Sequence, residues 1–182
     1  ISSQEARVQV LPMPLSVSAP NPDARSADLI CVARPTSRKG IERAVRIAKR
    51  TDRTIHLIGP STGPEGTIAH GALSREKTLA IMAQAKAIIL TPRANEDGLG
   101  EEGLGLVLLE AAARGVPAIG CHTGGVPEAV GPGLLLDDPD NPDGDQINHW
   151  LNNKNRGDDA RSWVRAKHGP QRCLEVLEGR IL

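Results

Sequence analysis

The chain has 182 residues, 39% of them apolar, with 22 basic side chains against 22 acidic ones. That is room for one domain with its own core, and no global field that would draw nucleic acid or an anionic membrane. There is no Phe or Tyr and only two Trp, Trp150 and Trp163, so the core must be built from Leu, Ile, Val and Ala, and aromatic platforms for single-stranded nucleic acid are lacking. No window reaches the roughly 18 apolar residues of a membrane-spanning helix, and no signal peptide is visible. Cys31, Cys121 and Cys173 are odd in number and unrelated in spacing, against a disulfide framework or a zinc site. A reducing cytoplasm is the simplest setting. Five scattered histidines show no paired ligand spacing and read as core or surface residues.

Residues 6 to 16 alternate like a short strand and run into a Pro-rich polar stretch, so 1–25 reads as a linker or hinge and 26–182 as the folded domain. The chain begins at Ile1 rather than a methionine, and a targeting segment could stand upstream. Leu29 to Ala33 is a short apolar run of the kind a buried parallel strand needs. Gly40 to Lys49 carries Ile41, Ala44, Val45, Ile47 and Ala48 at helical spacing, so the two form a βα unit. Between them, Arg34 stands at the carboxyl end of the strand and Lys39 at the start of the helix, the edge where open α/β sheets bind ligands. Two cations there suit a diphosphate, Arg34 as a planar fork and Lys39 as a point charge. Solvated loop charges are the alternative, which is the expectation for Arg38 and Arg43.

Thr54 to Ile58 is a second strand, followed after STGPEG by a third within TIAHGAL. Ser74 is placed to cap a helix running to about Lys86. Ala87 to Leu90 is a further strand, then a long acidic loop covers Thr91 to Glu101. Gly98, Gly100 and Gly103 spell a G-x-G-x-x-G, but a dinucleotide fingerprint needs its first glycine at the strand's end, and Glu101 and Glu102 would face the pyrophosphate.

Glu102 to Glu128 concentrates the chemistry. Seven residues separate Glu102 from Glu110, and Leu104, Leu106, Val107, Leu108 and Leu109 are apolar nearly all round, as in a buried helix. A helix starting near Gly103 or Leu104 would put Glu102 at its N-terminus and the two carboxylates about 12 Å apart, the scale of a nucleotide diphosphate. Gly103 and Gly105 would let the backbone approach a ligand, and first-turn amides would attract an anion. Glu102 then suits neutral sugar hydroxyls, and Glu110 a ribose. The alternative is an acidic helix cap with Glu110 solvated. Val116 to Gly120 reads as a strand, Thr123-Gly124-Gly125 as a turn into a short helix bearing Glu128, and Leu134 to Leu136 as a last strand. DDPDNPDGD reads as a solvated loop, His122 as a turn residue, and 145–179 as two or three helices broken at Asn152 to Asp158 and at Gly169-Pro170.

Three motifs carry a resemblance in the expected order: Arg34, four residues, Lys39-Gly40; the Glu102 and Glu110 pair running into LEAAARGVPAIG; and the GGVPE that follows. Together they resemble the C-terminal lobe of the retaining glycosyltransferases of family 4, which have the two-lobed GT-B fold. The likeness runs from about residue 6 onward. It implies a Rossmann-like α/β lobe with a mostly parallel sheet of about six strands, as the alternation of elements also suggests. It implies that Arg34, Lys39 and Gly40 bind the donor diphosphate and that Glu102 contacts the donor sugar. Gly103, Leu104, Gly105 and Leu106 would line the site, Glu110 would hold the ribose, and the turn at Gly124 would lie beside the sugar. An aromatic is common where Leu104 stands, and STGPEG replaces a helix that helps shape the base pocket.

The expected function is donor binding in a retaining glycosyltransferase that moves a sugar from a nucleotide diphosphate to an acceptor hydroxyl. The expected partners are a UDP-, GDP- or ADP-linked sugar and an N-terminal lobe carrying the acceptor site, without which this chain would turn over little. No cofactor, metal or nucleic acid is expected. The setting is cytoplasmic, or peripheral at a membrane through the other lobe. A non-catalytic nucleotide-sugar module used for assembly, and a nucleotide-sugar epimerase lobe, are the alternatives.

Overall fold

The computed structural model describes residues 14–16, 27–94 and 102–178. Most of the 1–25 linker, together with Gly98 and Gly100, lies outside them. Six strands make one sheet: β1 (Ala27–Val32), β2 (Ile55–Ile58), β3 (Thr67–Ala69), β4 (Ala85–Ile89), β5 (Ala118–Cys121) and β6 (Leu134–Leu136). Their order is β3-β2-β1-β4-β5-β6, and every pairing is parallel. The helices are α1 (Ile41–Arg50), α2 (Arg75–Met82), α3 (Leu106–Ala112), α4 (Val126–Val130), α5 (Gly144–Leu151), α6 (Arg156–His168) and α7 (Pro170–Leu177).

The apolar runs become strands because both faces of the sheet are covered. On one face Ile30 and Ile88 pack with Met82 of α2, Leu108 and Leu109 of α3, Ala129 of α4 and Val164 of α6. On the other, Leu29, Cys31, Ala87 and Ile89 pack with Ile47 of α1 and with Ile147 and Trp150 of α5. The direction of strand progression reverses between β1 and β4, and the crevice at their carboxyl ends is where such sheets bind ligands.

Several boundaries depart from the sequence expectations. The helix capped by Ser74, whose Oγ accepts from the Lys77 amide at 3.3 Å, stops at Met82. Lys86 belongs to β4 instead, its ammonium 2.5 Å from Asp28 Oδ1 on β1. Pairing Ala85 with Ala27 in the ladder overrides the helical tendency of that stretch. α3 begins at Leu106, with Gly105 as its cap at φ +76°, two or three residues later than the expected start at Leu104 or Gly103. It is not buried all round: Leu108 and Leu109 are fully buried, whereas Leu106 is 46% exposed. The β2 to β3 connection carries no helix, as STGPEG predicts, and closes a parallel pair through Gly59 at φ +116° and Gly66 at φ +83°.

Two surface expectations are overturned. Arg43 is not a solvated charge: its side chain is only 12% exposed, and it donates to Pro92 O at 2.8 Å and to Asp140 Oδ2 at 2.6 Å. Arg46 and Arg93 reach the same carboxylate. The acidic loop therefore does more than face solvent, since Asp140 pins it to α1 and to the segment after β4. The Arg43 hydrogen bond, with Arg46 and the neighbouring charges, holds Asp140 well below the usual carboxylate range against the opposing effect of burial. Asp143 caps α5 through the amides of Asp145 and Gln146. All three cysteines are free and buried, and burial pushes the Cys31 thiol up to about 12.

His56 on β2 meets His70, just past β3, with Nδ1 and Nε2 2.9 Å apart and the rings inclined by 26°. One ring must donate to the other, so this contact excludes both rings being protonated at once. Burial, and then the charge of His70, push the His56 pKa down, with Asp28 opposing. A histidine whose folded pKa is depressed contributes stability above its unfolded value of about 6.5, and that stability is lost as pH falls through the folded value. Urea midpoints at pH 5 and pH 7 should show this loss, and His56→Gln should flatten it.

Among the described residues, no helix is long and apolar enough to cross a membrane. Leu174 and Leu177 of α7 are exposed, whereas Val176 is buried in the domain.

Candidate functional site

A cavity of about 750 Å³ opens at the carboxyl ends of β1, β2 and β4, on the point where strand order reverses. Val32 to Pro35 form one wall, Ile58 and Gly59 another, and Ala72, Leu73 and Thr78 a third. Leu90 and the stretch from Glu102 to Val107 close the remaining side. Most of these side chains are apolar. Among the described residues, Arg34, Lys39 and Glu102 are the ionisable groups along the lining.

The Arg34 to Lys39 segment leaves β1 and coils through a 3₁₀ turn at Ser37–Lys39, ended by Gly40 at φ +62°. Arg34 is exposed, and among the described residues its guanidinium has no ion-pair partner. Lys39 Nζ instead lies 2.6 Å from Glu102 Oε2, the side chains being 29% and 16% exposed. The two motifs, 63 residues apart in the chain, thus meet across the cavity.

Glu102 precedes α3 rather than standing at its N-terminus, so a helix-end anion site and the 12 Å separation of the two glutamates no longer follow. Its position is set by the backbone. Gly125 N donates to Glu102 O at 2.8 Å. Gly124, at φ +54°, packs so closely that a Cβ there would lie 2.2 Å from Glu102 O. Gly124 therefore holds the Glu102 main chain and does not line the cavity. Gly40 does not line it either, being packed against the carbonyl of Thr91. Gly103, Leu104, Gly105 and Leu106 do line it, and a Cβ at Gly103 would meet nothing within 4 Å.

Glu110 lies beyond the cavity lining, one turn past Leu106 and Val107 on the same helical face. It is not solvated: its side chain is 15% exposed, and Oε1 sits 2.7 Å from Arg75 Nη1. Arg114 Nη1 donates to the Glu110 carbonyl at 2.9 Å. Sequence reasoning missed Arg75, Thr78, Ala72 and Leu73. The Ser74 cap announced where α2 starts, but only the packing of α2 on α3 brings that start to the cavity. His122 stays at the surface near Asp137, both largely exposed.

The family model described as glycosyl transferases group 1 matches residues 18–167. A curated relative is the GDP-mannose-dependent monoacylated alpha-(1-6)-phosphatidylinositol monomannoside mannosyltransferase of Corynebacterium glutamicum, 32% identical over 131 residues, which cover 62% of this chain and 34% of the relative. The GDP-mannose-dependent alpha-(1-6)-phosphatidylinositol monomannoside mannosyltransferase of Mycolicibacterium smegmatis is 30% identical over 141 residues, 62% of this chain and 37% of the relative. The chain thus matches little more than a third of the length of these relatives. Among solved structures, AviGT4, a glycosyltransferase involved in avilamycin A biosynthesis, superposes with a TM-score of 0.76 at 21% identity, over 96% of this chain and 58% of that one. HepE of Anabaena, solved with UDP and glucose, gives 0.65 at 16% identity, over 87% of this chain and 49% of that one. These structural likenesses share the Rossmann-like lobe of a GT-B glycosyltransferase. With a family model spanning most of its residues, this chain belongs to the glycosyl transferases group 1 family.

Proposed function

We propose that this chain is the donor-binding lobe of a retaining glycosyltransferase that transfers a sugar from a nucleotide diphosphate to an acceptor hydroxyl. The observation that carries this reading is the meeting of Arg34 and Lys39 with Glu102 around one cavity at the sheet's reversal point. Arg34 and Lys39 stabilise the charge that develops on the departing diphosphate, a preorganised electrostatic contribution of the kind that often dominates such catalysis. Glu102 accepts from sugar hydroxyls and turns the sugar for attack on the face the diphosphate leaves. Lys39 exchanges its contact with Glu102 for the diphosphate as the donor enters. The leaving phosphate takes the acceptor's proton, and no metal ion is required. The acceptor site belongs to a second lobe.

The names of the two mannosyltransferase relatives make GDP-mannose the first donor to try. The test is calorimetric titration of the chain with GDP, UDP and ADP and with their common sugar conjugates. Saturable binding to one series is expected, weakened tenfold or more in Arg34→Ala, since a charged hydrogen bond contributes about 1.5–3 kcal/mol. No binding of any of them at millimolar concentration defeats the proposal.

A further inference from the structure

Just past one end of the cavity stands an ion pair that neither the phosphate nor the sugar chemistry uses. Glu110 lies on the face of α3 that carries Leu106 and Val107, and those two residues line the cavity. Arg75 lies one turn before Thr78 on α2, and Thr78 also lines it. Helical spacing of three and four residues places both charges on the cavity-facing sides of their helices, just past its end. Arg75 Nη1 closes the gap at 2.7 Å from Glu110 Oε1.

The two partners differ in freedom. The Glu110 side chain is 15% exposed, whereas that of Arg75 is 72% exposed. A mostly exposed guanidinium adds little to folding stability, but it can choose the rotamer of a largely enclosed carboxylate. Occupying Oε1 leaves Glu110 with acceptor capacity on Oε2, and a carboxylate has about four lone-pair sites in all. Arg114, the other guanidinium nearby, gives Nη1 to the Glu110 backbone carbonyl.

We infer that Arg75 is a positioning residue for the nucleoside: it bridges α2 to α3 and aims the Glu110 carboxylate at a vicinal diol, the ribose hydroxyls of the donor. This rests on the donor-lobe reading. It also makes the start of α2 part of the nucleotide site, where the shortened β2 to β3 connection supplies no helix. Arg75 touches Glu110 and acts through it.

The test is titration of the full chain with GDP, UDP and ADP and with the 2′,3′-dideoxy form of each. The wild type should favour the ribonucleotide over its dideoxy form by about tenfold, the scale of one charged hydrogen bond. Arg75→Ala should cut that preference to about threefold or less while leaving dideoxynucleotide affinity unchanged, and Arg75→Lys should restore part of it. In a Glu110→Ala background the preference should be absent, and adding Arg75→Ala should change nothing further. Equal losses on ribo- and dideoxynucleotides, or no loss on either, overturn the positioning role. A wild type that binds both forms equally removes the ribose contact, and this inference with it, while leaving the donor-lobe reading intact. A wild type that binds no nucleotide ends both.

Discussion

Lys39→Met is expected to weaken binding of the bare nucleoside diphosphate by tenfold to a hundredfold, while Glu102→Gln is expected to strengthen it several-fold. The opposite signs follow from one contact. Lys39 and Glu102 are paired at 2.6 Å and are mostly shielded from water. On the proposed donor-lobe reading, removing the ammonium takes away a charged partner of the diphosphate, a contribution of about 1.5–3 kcal/mol. It also leaves the Glu102 carboxylate unpaired beside the incoming anion. Neutralising Glu102 instead frees Lys39 for the diphosphate and removes the repulsion. The same substitution should erase whatever affinity the sugar adds, so that the nucleotide sugar binds no better than the bare diphosphate. Calorimetry on the two variants with GDP and GDP-mannose measures both effects. Weaker binding of the bare diphosphate to Glu102→Gln than to wild type would show that the carboxylate does not compete with phosphate for Lys39.

Gly40→Ala is expected to destabilise the domain by more than about 3 kcal/mol, near the upper end for a single substitution. The backbone there is left-handed, at φ +62°, and an added Cβ would lie 1.8 Å from the carbonyl oxygen of Thr91. That oxygen is main chain two residues past β4, so relief requires moving either the chain leaving β4 or the start of α1. Gly66→Ala is the matched control. Its φ is +83°, equally foreign to an L side chain, but nothing stands within 4 Å of the new Cβ. Only the conformational cost remains, about 1–2 kcal/mol. Urea denaturation of both variants separates the clash from the strain, and similar losses in the two would mean that the close approach of Gly40 to Thr91 has no energetic weight. Because Gly40 follows Lys39 directly, Gly40→Ala should weaken diphosphate binding as well.

The alternation of apolar runs and helical patterns was enough for a mostly parallel α/β sheet, because a strand covered on both faces must be apolar along its whole length. Leu134 to Leu136 and the stop at Gly169-Pro170 were legible for the same local reasons, whereas the break before α6 is shorter than the expected 152–158, because the helix already starts at Arg156. Arg34 and Lys39 stood out between the first strand and its helix, and Glu102 before a glycine-flanked apolar run, but solvated charges explained each equally well, and the resemblance to family 4 glycosyltransferases made them site candidates. Their meeting could not be read from spacing, since it depends on β1 and β4 lying side by side, and that pairing joins segments more than fifty residues apart. The start of α3 was misplaced because its apolar residues continue backward through Leu104, whereas the left-handed backbone of Gly105 and the docking of Gly125 on Glu102 decide where the helix begins. Arg43 was misread because its charge suggested solvent until Asp140 folded over it. Local patterning thus determined which segments become strands and helices, through burial and backbone freedom. Tertiary packing decided which charges face one another, because an ion pair needs a distance that no sequence spacing of 35 or 63 residues can set.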